Sequence, residues 1–194
     1  GNAFTRWERN YGVALAAFEN AVEIVRHEDP DKADRMRGLM LSWTEKSSMD
    51  ILHNIKDRYP NVLIQMRTSM QDYLRYLQSC SAVISPIIRD TPGRLVGECA
   101  YFEIPLYGSD VPDIQRELWG DELTFSPWDV KGYATGVAKQ VLTDLDMKDT
   151  AKSAKLKLIE NYGMDISRSR FSDILKRMGW GGSWHSTDAP EVLI

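Results

Sequence analysis

The chain has 194 residues, 43% of them apolar and 27% charged, with a formal net charge of −4. That composition belongs to a folded globular chain with a sizeable core and excludes disordered, collagen-like and low-complexity classes. The slight acidity gives no global attraction for nucleic acid or an anionic membrane, and no apolar run reaches the roughly 18 residues of a membrane span.

In chain order, Ala14, Ala17, Phe18, Ala21, Val22 and Val25 recur at helical spacing. They predict an amphipathic helix over residues 12–25 that stops before Asp29-Pro30. Gly38-Leu-Met-Leu-Ser42 reads as a short buried strand. A helix follows at 48–59, with Ser47 or Ser48 as cap and Pro60 as stop. Val62–Met66 is the next strand, and Met70, Tyr73, Leu74 and Leu77 mark a helical stripe. Further strands are expected at 82–85, 105–108 and 123–126. Helices are expected at 94–103, 112–119, 133–145, about 150–161 and about 165–178. Short apolar strands alternating with amphipathic helices predict an α/β fold, a Rossmann-like parallel sheet flanked by helices. Such sheets bind ligands beyond the carboxyl ends of their strands. The loops after Leu41, Met66, Pro86, Gly108 and Ser126 lie at that edge.

The expected organisation is an N-terminal helical segment (1–35), a Rossmann-like domain (36–178) and an irregular tail (179–194). The start Gly-Asn-Ala reads as a tag remnant or a domain cut, and no signal peptide is visible. Cys80 and Cys99 form no disulfide framework and no metal spacing. Their apolar surroundings predict buried free thiols in a reducing compartment. The expected location is the cytoplasm, with a peripheral membrane surface as the other setting. Residues 151–177 carry seven basic and three acidic side chains, for which a solvated helix face is the simplest account. His27, His53 and His185 have no partner spacing, and Asp144-Leu-Asp146 ends a helix rather than forming a metal motif.

The most informative stretch runs from Ser85 to Asp110 and reads as strand, glycine-containing loop, helix, proline, strand. It holds two carboxylates, Asp90 and Glu98, with seven residues between them, and Gly93-Arg94 lies where the helix begins. Free backbone N–H groups and the helix dipole favour an anion there.

This stretch resembles the donor-binding signature of retaining GT-B glycosyltransferases of the group 1, family 4 type. Members read Pro-Ser, two residues, Glu-Gly-Phe-Gly, four residues, then Glu-Ala-Met-Ala-x-Gly-x-Pro. Without a gap, Pro86 matches the first proline, Asp90 the first Glu, Gly93 the second glycine, Glu98 the second Glu and Pro105 the final proline. The chain departs from the pattern at Asp90, at Pro92 in place of the aromatic, and at Tyr101-Phe102-Glu103 in place of small residues. Element order extends the resemblance to about residues 38–178, although the family has a further strand and helix between the equivalents of 58 and 62.

The resemblance implies the C-terminal, nucleotide-sugar-binding half of a hexosyltransferase. A nucleotide-diphosphate sugar would be the donor substrate, with no further cofactor and no metal. Glu98 would accept the ribose hydroxyls, while Asp90 would lie near the transferred sugar. Gly93 and Arg94 would cradle the diphosphate, and Lys46 would stabilise it as it leaves. Backbone groups around Met66 and Arg67 would frame the base. The acceptor is unspecified, and a partner domain or subunit would supply its half of the cleft. Plainer readings stand beside these: a helix glutamate, a turn aspartate, solvated cations and an ordinary strand-to-helix loop. The competing classes are a non-catalytic α/β domain that binds a nucleotide or a protein, and a sugar-nucleotide epimerase on the same fold.

Overall fold

Asp29-Pro30 does end the first helix, but it also starts another. In the computed structural model, which describes residues 10–42, 55–66, 69–89, 94–143 and 147–177, α1 covers Tyr11–Glu28 and α2 covers Pro30–Arg35. The Asp29 carboxylate accepts from Lys32 N at 2.9 Å, and Pro30 takes the first helical position, where its missing N–H costs nothing. The sequence reading took this pair as a stop and missed α2.

The strands are β1 (Gly38–Ser42), β2 (Val62–Met66), β3 (Val83–Ser85), β4 (Leu106–Ser109) and β5 (Thr124–Phe125). Between them run α3 (Met70–Gln78), α4 (Arg94–Tyr101), α5 (Asp113–Trp119), a short 3₁₀ turn (Asp121–Leu123) and α6 (Val130–Leu142). Helices α7 (Lys148–Tyr162) and α8 (Met164–Arg177) follow. Of the helix expected at 48–59, residues 55–58 are helical and the part before Ile55 lies outside the described residues.

Every described strand pair is parallel. β1 pairs β2 from Gly38–Val62 to Ser42–Met66. β4 lies between β3 and β5, with Val83 opposite Leu106 and Ser109 opposite Phe125. The expected single sheet is therefore two hydrogen-bonded pieces among the described residues, β1-β2 and β3-β4-β5. All four β4 residues are buried, as befits a central parallel strand covered on both faces.

The chain forms two compact units, one through Leu158 and one from Ile159 onward. In the first, α1 packs most extensively on α6. The buried positions are Ala17, Ala21, Val22 and Val25 on α1, and Tyr133, Ala134, Val137 and Ala138 on α6. Alanines on both helices allow close approach of their backbones. The main core adds Val96, Cys99 and Ala100 of α4, Leu106 and Tyr107 of β4, and Ala151 and Ala154 of α7. A smaller cluster of Leu15, Met40 and Val62 sits under β1-β2, and Phe18 packs against both.

Strand β4 depends on a glycine. A β-carbon on Gly108 would stand 2.2 Å from Oε1 of Gln115, a fully buried side chain. The Gln115 amide donates to the carbonyls of Leu106 at 3.1 Å and Leu123 at 3.0 Å, so it ties β4 to the turn before β5. The C-cap of α5 is Gly120 at φ 74°, in the left-handed region that glycine enters without penalty. In the second unit, α8 exposes Met164, Ile166, Phe171 and Ile174.

Candidate functional site

Two βα connections of the parallel sheets carry the site. The chain leaves β2 at Met66 and begins α3 at Met70, where the Ser69 hydroxyl accepts from Asp72 N at 3.1 Å. It leaves β3 at Ser85, passes buried Pro86 and Ile87, and begins α4 at Arg94. Parallel geometry places both helix starts beyond the carboxyl ends of their strands.

Four side chains meet between α3 and α4. Tyr73 Oη donates to Glu98 Oε2 at 2.5 Å, across the two helices. Arg94 Nε donates to Glu98 Oε1 at 2.7 Å, one helical turn earlier on α4. The Arg94 guanidinium also reaches Met70 Sδ at 3.5 Å. The Glu98 side chain is 18% exposed and that of Arg94 68%. The carboxylate thus lies at the rim, not in the core.

Electrostatics fix the donors. Burial, then the hydrogen bond to Glu98 and its charge, push the Tyr73 hydroxyl well above its ordinary pKa, so it stays a proton donor across the working range. The hydrogen bond to Glu98, then its charge, raise the Arg94 guanidinium. Directly behind the cluster, Cys99 is buried and its thiol is raised by that burial, with smaller contributions from Glu98 and Cys80. Cys80 is half-buried and raised for the same reason. Both cysteines are free, but of the two expected to be buried only Cys99 is.

Of the residues singled out from the sequence, Glu98 and Arg94 are brought together here. Met66 ends β2 at the same edge, and its side chain lies outside the described residues. Lys46, Arg67, Asp90 and Gly93 also lie outside them, as do His53, Asp144 and Asp146. Sequence reasoning missed Tyr73 as a site residue. It stood in the stripe Met70-Tyr73-Leu74-Leu77 as a core position, and its only signal was a polar tip on that stripe.

A shallow open groove of about 390 Å³ lies elsewhere, beside α6, lined by Glu122, Phe125, Asp129, Lys131 and Lys139 among others. Its lining charges are of both signs, two acidic and two basic, and the Asp129 carboxylate is committed to capping α6 through Gly132 N at 2.8 Å. It converges on no single ligand chemistry, whereas the α3–α4 cluster presents a fixed carboxylate beside a cation. Among the described residues no group of His, Cys, Asp and Glu can hold a metal ion, and no helix is long and apolar enough to cross a membrane.

No family model matches the sequence, and no curated protein matches it. Solved structures do. The α,α-trehalose 6-phosphate synthase of Burkholderia multivorans matches 89% of this chain and 40% of its own, with TM-score 0.66 at 13% identity. The fold is GT-B-like. Sucrose-phosphate synthase from Thermosynechococcus elongatus shares this Rossmann-type layering over 87% of this chain and 44% of its own, with TM-score 0.65 at 11% identity. The Candida albicans trehalose-6-phosphate phosphatase N-terminal domain shares it over 84% and 39%, with TM-score 0.60 at 20% identity. At these identities the GT-B-like likeness is one of fold. The chain spans 39–44% of the length of these proteins.

Proposed function

We propose that this chain binds a nucleotide-diphosphate sugar and is the donor-binding, C-terminal half of a GT-B glycosyltransferase. The observation that carries this reading is Glu98. It is a rim carboxylate in the second turn of a helix that follows a parallel strand, and Tyr73 and Arg94 hold it in place. The fold shared with two sugar-phosphate synthases supports it.

In this reading the ribose hydroxyls donate to Glu98 and the diphosphate lies over the start of α4. Backbone N–H groups near Gly93, the Arg94 guanidinium and the helix dipole meet its charge. Lys46 adds a further positive charge to stabilise the diphosphate as the glycosidic bond breaks. Asp90 faces the transferred sugar, and backbone groups at Met66 and Arg67 frame the base. The acceptor enters from a partner half, and the reaction takes place where the two halves face each other.

Calorimetric titration with nucleoside diphosphates and their sugar conjugates tests the reading. Glu98→Gln retains an oxygen for Tyr73 but removes the charge. It should weaken binding about tenfold to a hundredfold, or about 1.5–3 kcal/mol. The thermal midpoint of the free protein should barely move, because the Arg94 partner is exposed. Wild type that binds no nucleotide, or Glu98→Gln that binds as tightly, rejects the donor site.

A second reading is a non-catalytic nucleotide- or protein-binding domain. One of the similar structures is itself named as the N-terminal domain of a phosphatase. Nucleotide-sugar binding without donor hydrolysis or transfer, when all candidate acceptors and partner halves are supplied, selects it.

A further inference from the structure

We infer that Tyr73 is a positioning residue that fixes the Glu98 carboxylate so that it presents two open acceptor positions to a vicinal diol, thereby selecting ribose over 2′-deoxyribose. This inference rests on the donor-site reading and adds to it a residue that the sequence comparison did not supply.

An ionised carboxylate has about four acceptor positions, two on each oxygen. Tyr73 fills one on Oε2 at 2.5 Å, and Arg94 fills one on Oε1 at 2.7 Å. Among the described residues one position on each oxygen remains, which matches two neighbouring hydroxyls.

The two tethers are not equal. Arg94 is on the same helix as Glu98, is largely exposed, and carries a long flexible stem, so water competes for it. Tyr73 reaches across from α3, is half-buried, and has only two side-chain torsions to fix. Its ring packs against the main core, which settles where the hydroxyl points. Tyr73 therefore sets the plane of the carboxylate. A glutamate alone on α4 could turn about its last torsion, and each orientation would meet one hydroxyl instead of two.

Tyr73→Phe keeps the packed ring and removes the hydroxyl. The readout is the ratio of affinities for a ribonucleotide and its 2′-deoxy counterpart. The probes are UDP, GDP and ADP, each with its deoxy form, titrated calorimetrically into the full chain. Wild type should prefer the ribonucleotide by about tenfold or more, and Tyr73→Phe should lower that preference to about threefold or less. Arg94→Ala should weaken both forms through the diphosphate and should lower the preference less than Tyr73→Phe does, since its tether to Glu98 is the exposed one. Thermal midpoints of the free variants report folding separately, and a general loss of structure would weaken both nucleotides without moving their ratio.

An unchanged ratio in Tyr73→Phe overturns the inference, whatever its effect on absolute affinity. If that occurs while Glu98→Gln still abolishes the preference, the donor site survives and only the role of Tyr73 falls. If wild type binds none of the probes, the donor site and the inference fall together.

Discussion

Adding one methyl group to Gly108 should unsettle the middle of the sheet. The new β-carbon would lie 2.2 Å from Oε1 and 2.3 Å from Cδ of Gln115, well inside contact distance. Gln115 is fully buried between β4 and the turn before β5, so it cannot swing into solvent without breaking its bonds to Leu106 O and Leu123 O. Overpacking of this kind costs about 1–3 kcal/mol, and each lost bond about 0.5–1.5 kcal/mol, partly offset by the stiffer unfolded chain of an alanine variant. Gly108→Ala should therefore destabilise by about 1–5 kcal/mol, a large share of the roughly 5–15 kcal/mol that holds a domain together. Urea unfolding of wild type and variant measures it as a shift in midpoint at constant slope. Gln115→Ala supplies the control. With the glutamine shortened there is room for the methyl, so the double variant should be no less stable than Gln115→Ala alone. A loss below about 1 kcal/mol in Gly108→Ala, or full additivity in the double variant, would show that the glutamine does not constrain this position.

Three other outcomes follow from particular contacts. Burial raises both thiols, more strongly for Cys99, so a thiol reagent should label half-buried Cys80 first in the native protein and Cys99 only on unfolding; peptide mapping after timed labelling tells them apart. The hydrogen bond from Lys155 at 2.7 Å, then its charge, hold the Glu103 carboxyl below its ordinary value. Its contribution to stability is present above the unfolded carboxyl value and is lost as pH falls through the lower folded value. Lys155→Ala should return Glu103 toward the ordinary range, as followed by NMR titration. Asp129→Ala removes the N-cap of α6 and should cost about 1 kcal/mol in denaturant unfolding, whereas Asp129→Asn, which keeps the acceptor, should cost far less.

Most of the layering was legible because short apolar runs bounded by turn residues leave a plain mark. Leu106 through Ser109, buried at all four positions, and Gly38 through Ser42, of which Met40 is buried, are such runs, and the structure places them in parallel pairs. The α1 stripe is equally direct, because Ala17, Ala21 and Val25 follow one another by four and are all fully buried. Helix α2 was not legible, because Asp-Pro is both a poor place to continue a helix and a good place to begin one. At the candidate site, local pattern gave Glu98 and Arg94, which share a helix. Tyr73 was out of reach. It precedes Glu98 by 25 residues, and only the tertiary fold, with its ring against the core, brings its hydroxyl to the carboxylate. Gln115 shows the same limit: a polar side chain in a short helix reads as surface, yet its amide donates to the carbonyls of Leu106 and Leu123 from a fully buried position.

The pairing of α1 with α6 has a consequence for biosynthesis. Helix α1 ends at Glu28 and its main partner begins at Val130, so roughly a hundred residues separate them. A ribosome adding about 5–20 residues per second would need about 5–20 s to make that interval, and longer to clear α6 from the exit tunnel. Throughout that time Ala17, Ala21, Val22 and Val25 form an apolar stripe without its final cover. Helix α1 thus emerges well before its main partner and is closed over late, and a nascent chain stalled before Val130 should be the form most readily captured by a chaperone.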